Sequence, residues 1–305
     1  MLEKIMDLFA LAFRQRDAIY RVGRMAKTVF ANGFSFKKII AVIVAVFEMF
    51  GSVLFDAPLT PAGQTLNLDG YKPVFCDEFE GSALNTDIWE FRHLGKDAGG
   101  YNDVSQVQVK DGNLYITGEY KENGTYGNGW YSADLQLKKL YKRGYFEIRC
   151  ICNKGDDFWS AFWIQADHPY DHIISNGGIG GAELDIFESI TKYDSKPFMK
   201  NAVTCTIHCN GGDDDVENID SRCIGKFRGK NIHEEYNTYG LEWTENEYIF
   251  YINGVEAGRT SFENGVSQVE EHICVSLCMS GEINMDKNEK SRFIVDYVKI
   301  WQKGE

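Results

Sequence analysis

From Tyr71 onward the hydrophobic pattern switches to a period of two, and this limits the fold more than any other feature of the chain. Asn113–Gly118, Gly144–Cys152, Ala202–Cys209, Glu247–Asn253 and Phe293–Trp301 alternate or are rich in β-formers. A period of two sends successive side chains to opposite faces, so each segment predicts a strand with one face in a core. Lys110-Asp111-Gly112-Asn113 and Ile252-Asn253-Gly254-Val255 supply the positive-φ pairs that tight hairpins require. Aromatics at 14% and 30 Gly against 5 Pro agree with sheets joined by tight turns. Many short strands and few helical windows over about 235 residues predict one all-β sandwich.

The first residues differ. Residues 1–31 read as helix, with Leu2, Ile5, Met6, Phe9 and Phe13 near a 3.6 period, until Asn32-Gly33 breaks it. Lys37-Lys38 then precedes nine uncharged apolar residues, Ile39–Phe47, and the apolar run continues past Glu48 to Phe55. A signal peptide or signal anchor fits this order, although the run of 17 residues is at the short limit for spanning. Glu48, the long preceding stretch and the lack of a small-x-small cleavage site favour the other reading, amphipathic helices on a partner or a membrane surface. Asp56–Leu68, with Pro58 and Pro61, reads as a linker. The expected division is residues 1–55 as a helical, hydrophobic extension, 56–70 as linker and 71–303 as the main domain.

Charge follows the same division. Residues 1–56 hold eight Lys/Arg against five Asp/Glu, or +3, so residues 57–305 hold −16 of the net −13. An acidic domain argues against binding a phosphate backbone, which needs Lys/Arg clusters. The eight cysteines do not decide the compartment. An even count suits disulfides. Cys150/Cys152 and Cys205/Cys209, however, lie on one face of their own strands and read as small buried apolar residues. Cys205 and Cys209 beside His208 are too sparse for a zinc site.

One segment points to chemistry: Glu183-Leu184-Asp185-Ile186-Phe187-Glu188-Ser189. On a strand Glu183 and Asp185 share a face while Leu184 and Ile186 point into the core. Strict alternation would bury Glu188, at a cost of several kcal/mol for a lone carboxylate. A bulge at Ile186-Phe187 returns it to the face of the other two acids. Like charges repel, so stability does not select three acids on one face. Catalysis, a calcium site and a solvated edge strand all remain open on this pattern alone. Trp159 and Trp163, four apart on one strand face, add amphipathic aromatic surface suited to a wet cleft or to core packing.

These motifs resemble glycoside hydrolase family 16, the laminarinase, lichenase and agarase group. The Glu-x-Asp-x-x-Glu motif stands at Glu183–Glu188, in the bulged form of laminarinase-like members. Other signatures occur in family order: Phe75–Gly81, Trp89, Asp111–Leu114, Tyr131–Ala133, Gly144–Arg149, Phe158–Trp163, Tyr239–Trp243 and Val295–Val298. The resemblance implies a β-jelly-roll sandwich, concanavalin A-like, with a cleft on its concave face. It implies retaining endo-hydrolysis, with Glu183 as nucleophile, Glu188 as general acid/base and Asp185 assisting between them. Trp159, Trp163 and His208 match sugar-binding positions. His208 is followed by one extra residue before the Gly211-Gly212 pair, so its direction stays open between cleft and core. Asn237 stands where the family usually shows His and is assigned no role.

No cofactor is expected for catalysis. Many members carry a structural calcium away from the cleft, and its matching positions are Glu78, Gly112 through its carbonyl, and Asp296. The expected substrate is a β-1,3- or β-1,3-1,4-glucan. The rivals are an agarase-like galactan hydrolase, a transglycosylase or a non-catalytic glycan-binding module. The −16 charge weighs weakly against sulfated galactans. A monomer with no nucleic-acid partner, a membrane contact through residues 1–55 and an extracellular or outward-facing anchored location are expected. An intracellular location stays open.

Overall fold

The computed structural model describes residues 57–155, 157–166, 180–189, 200–209, 220–261 and 265–304, with 40, 43, 44, 46–48, 51 and 52 ahead of them. The helix expected at 1–31 lies outside the described residues. Among the described residues no helix is long and apolar enough to cross a membrane.

Two sheets face each other. The larger runs from β16 (Val255–Thr260) through β15 (Tyr248–Ile252), β14 (Asn237–Trp243), β9 (Gly144–Ile151), β18 (Lys290–Lys303), β6 (Asn113–Gly124), β7 (Gly127–Ser132) and β4 (Gly100–Asn102) to β3 (Gly95–Asp97). β1 (Tyr71–Asp77) pairs with β18, and β5 (Val107–Lys110) with β6. The smaller runs β13 (Asp220–Arg228), β12 (Ala202–Cys209), β11 (Glu183–Ser189), β10 (Phe158–Ala166), β17 (Glu271–Met279), β8 (Asp134–Leu137) and β2 (Trp89–Phe91). Neighbours pair antiparallel except β4 with β7. Most neighbours are distant in sequence, as in an antiparallel jelly-roll sandwich.

The core lies between the sheets. Phe158, Phe162, Ile164, Leu184, Phe187 and Ile207 of the smaller sheet meet Leu114, Phe146, Ile148, Tyr239, Leu241 and Phe293 of the larger. Phe187 stacks on Tyr239 with centroids 4.0 Å apart and ties β11 to β14 across the core. Both Asp-Gly and Asn-Gly turns form as read. Asp111 and Gly112 have φ of 52° and 68°, and Asn253 and Gly254 have 51° and 70°, joining β5 to β6 and β15 to β16. A left-handed pair matches the twist of the flanking strands, as a two-residue hairpin requires.

The stretch read as a linker packs onto the sandwich. Leu59 bridges to Phe227 at the edge of the smaller sheet, and Thr65 bridges to Val255 at the edge of the larger. Leu66 and Leu68 then cover Tyr145, Ile249 and Tyr251 on the outer face of the larger sheet. Residues 57–70 therefore strap together two edges that would otherwise offer unpaired backbone groups. Among the seven cysteines whose side chains are described no disulfide forms, and Cys150, Cys152 and Cys205 are buried as small apolar residues.

Candidate active site

The catalytic candidates stand on β11, beside the central strand β10, on the outer face of the smaller sheet. Against β12, Asp185 pairs with Thr206 and Glu188 with Thr204, so the register slips between them. The slip is the bulge the acidic pattern requires. Ile186 and Phe187 are successive residues, yet both are buried in the core, and Glu188 returns to the face of Glu183 and Asp185. The Cys205 thiol donates to the Ile186 carbonyl at 3.1 Å, satisfying a backbone group that the bulge takes out of the ladder.

Asp185 is 5% exposed, whereas Glu183 and Glu188 are half-buried. Burial is the largest effect on Asp185, with Glu188 and Glu183 adding to it; its carboxyl rises to about 8 despite a hydrogen bond from His208. Glu188 is also raised, by burial first, against the pull of a hydrogen bond from Trp159. His208 Nε2 lies 3.1 Å from Asp185 Oδ2. Burial alone would lower this imidazole, but Asp185, Glu183 and Glu188 together raise it. The group titrates as a unit, with two carboxyls pushed toward their neutral forms.

The two tryptophans share this face. Trp159 Nε1 donates to Glu188 Oε1 at 2.9 Å. Trp163 Nε1 donates to Ser276 Oγ at 2.8 Å, and the Ser276 hydroxyl donates in turn to Asp134 Oδ1 at 2.6 Å. Strand register explains the assembly. Trp159 opposes Cys278, Trp163 opposes Cys274 and Gln165 opposes His272, all with side chains away from the core. His208 opposes Glu183 in register and joins the acids on the cleft face.

Sequence reading missed Gln165, whose Nε2 donates to Glu183 Oε2 at 2.5 Å. The signal was available: Gln165 follows Trp163 by two and must share its face. It also missed Arg92, which lies over the Trp163 ring at 4.7 Å. Arg92 follows the three-residue β2, and no local pattern announces its place. Asp134, raised by burial to about 6, was missed for the same reason.

A sequence model described as "Beta-porphyranase A-D, GH16 domain" matches residues 71–303, most of the chain. The chain belongs to glycoside hydrolase family 16. Two curated relatives are an endo-1,3-1,4-β-glycanase, ExsH, of Rhizobium meliloti (strain 1021) and β-porphyranase D of Zobellia galactanivorans. The first is 27% identical over 65% of this chain and 40% of its own length. The second is 29% identical over 62% of this chain and 46% of its own length. The chain thus spans less than half the length of either relative. The crystal structure of SCLam, a non-specific endo-β-1,3(4)-glucanase from family 16, has a TM-score of 0.65 at 19% identity, covering 82% of this chain and 98% of that one. The laminarinase catalytic domain from Thermotoga maritima MSB8 has a TM-score of 0.60 at 20% identity, covering 77% and 99%. At such identities the family 16 structures establish the jelly-roll fold.

The calcium implied by family 16 finds no open donor set here. Lys299 Nζ binds Glu78 Oε1 at 2.7 Å, and Arg149 Nη1 binds Asp296 Oδ2 at 2.5 Å. Each carboxylate already faces a cation, and Gly112 serves as the second left-handed residue of a hairpin. A divalent ion would have to displace both cationic partners, so these residues as arranged do not fit one. Among the described residues, one group of three His, Cys, Asp or Glu ligand atoms lies within 4.8 Å: Glu183, Asp185 and His208. The Asp185–His208 contact and the register that sets His208 opposite Glu183 bring these three together.

Proposed function

We propose that this domain is a retaining, endo-acting glycoside hydrolase that cleaves β-1,3- or β-1,3-1,4-glucan by double displacement. The observation that carries it is the bulged β11 strand, which sets Glu183, Asp185 and Glu188 on one face with Glu188 held toward its protonated form. The Glu183 carboxylate attacks the anomeric carbon while Glu188 gives its proton to the departing glycosidic oxygen. A glycosyl–Glu183 ester and a shortened chain result. Glu188, now ionised, takes a proton from water, and the hydroxide oxygen attacks the same carbon and releases Glu183. Asp185, its carboxyl raised by burial to about 8, limits the negative charge gathered beside the reacting pair. Trp159 and Trp163, on the same sheet face as the acids, offer ring surface to sugar C–H faces.

A second reading, a galactan hydrolase of porphyranase type, draws support from the sequence-model match and from the Zobellia relative. The −16 charge of residues 57–305 weighs against a sulfated polymer. Reducing-end release from laminarin, lichenan, agarose, porphyran and carrageenan separates the two. Products from laminarin or lichenan, lost by roughly 10³-fold or more in Glu183→Ala, support the glucanase. Products from a galactan alone contradict it. Retention of a polysaccharide without cleavage indicates a binding module. Export is proposed with this reading because a polymer substrate stays outside the cell. N-terminal sequencing from the native host then gives a start near residue 57 if the extension is cleaved.

A further inference from the structure

We propose that Arg92 and Gln165 form a relay that fixes the orientation of the Glu183 carboxylate; the role rests on Glu183 being the nucleophile. Gln165 Nε2 donates to Glu183 Oε2 at 2.5 Å, and Arg92 Nη2 donates to Gln165 Oε1. This chain of bonds has one sense. A guanidinium only donates and a carboxylate only accepts, so the amide must turn its oxygen to Arg92 and its nitrogen to Glu183. A glutamine held at one end would sample several rotamers. Held at both ends it has one.

Arg92 is itself immobilised from several sides. Its Nη1 donates to Gln136 Oε1 at 3.2 Å and approaches Cys274 Sγ at 3.3 Å. Its Nε lies 3.8 Å from Asp134 Oδ2, and its guanidinium covers the Trp163 ring at 4.7 Å. Gln136 repeats the motif, passing a hydrogen bond from its own Nε2 to Glu90 Oε1 at 2.7 Å. The fork of Arg92 therefore feeds two glutamine carbonyls, and each glutamine ends on a carboxylate. The Arg92 side chain is only 9% exposed, so these charge-assisted bonds meet little competition from water.

Holding Oε2 leaves Oε1 as the attacking atom and fixes its direction. The relay works by position. A donor to the ionised carboxylate would, taken alone, make that carboxylate a weaker nucleophile, so the gain lies in presenting the lone pair in line with the anomeric carbon. Arg92 and Gln165 are positioning residues in this account.

The test uses the polysaccharide that the wild type cleaves and compares Gln165→Met, Arg92→Met and the double variant. Each single variant should lose roughly 10²-fold in kcat with KM changed by less than about 3-fold. The double variant should lose no more than about 3-fold beyond the worse single, because both remove one device. Arg92→Lys, which keeps the charge and one donor, should recover part of the loss and serves if Arg92→Met does not fold. Additive losses would overturn the relay, as would wild-type kcat in Gln165→Met. A rise in KM at unchanged kcat in Arg92→Met would make Arg92 a substrate contact instead. If the wild type cleaves nothing, the hydrolase reading fails and the relay with it; a cleaving wild type with additive variants sinks the relay alone.

Discussion

Trp159 donates its indole N–H to Glu188 at 2.9 Å, and this donor opposes the burial that raises the Glu188 carboxyl. A hydrogen bond to the ionised form favours that form, so its removal must raise the carboxyl further. Trp159→Phe keeps an aromatic ring and loses the donor. The alkaline limb of kcat, where Glu188 gives up its proton, is therefore expected at higher pH in the variant, measured in parallel buffers. An unmoved or lowered limb would separate Glu188 from that limb. The three acids were legible in the sequence because an acid triple on one strand face has no use in stability. Arg92 was not, because its separation of 73 positions from Gln165 is bridged by sheet pairing that no local pattern encodes.

At the scale of the element, the bulge in β11 joins core and chemistry. One extra residue lets Phe187 fill the core against Tyr239 while Glu188 faces the cleft. Phe187→Ala opens a cavity at this junction and is expected to cost about 3–5 kcal/mol, read as a shift in the denaturant midpoint. Because the same residue sets the register of Glu188, activity should fall even where the variant remains folded. Full activity in a folded Phe187→Ala would detach the bulge from the site. The bulge was inferable from burial logic alone, since strict alternation would have put a carboxylate in the core. The strap at 57–70 was not. Its prolines and polar residues signal a linker, while its packing depends on two sheet edges formed from residues 220–228 and 255–260.

Across the whole molecule, Glu271 is a fully buried acid whose Oε1 accepts from the Ala182 backbone at 3.0 Å and from Ser267 at 2.6 Å. Burial raises it to about 8. The folded state then binds a proton that the unfolded chain releases near its ordinary value of about 4.3, so stability falls as pH rises between those values. Glu271 contributes about 1.4 kcal/mol per pH unit to that slope within the window. Glu271→Gln should flatten it, as measured by urea unfolding at several pH values; an unchanged slope would mean Glu271 is ionised when folded. The sandwich itself was the most legible feature, because period-two segments and left-handed turn pairs act locally. Which strands neighbour one another is fixed by contacts far apart in sequence, and no segment announces them. The bulged β11 strand gathers three acids on one sheet face, and the proposed double displacement depends on it. The anomeric form of the first-released product, followed by proton NMR on the cleaved polysaccharide, tests this most directly. The β-anomer is predicted before mutarotation; initial release of the α-anomer would contradict double displacement at Glu183 and Glu188.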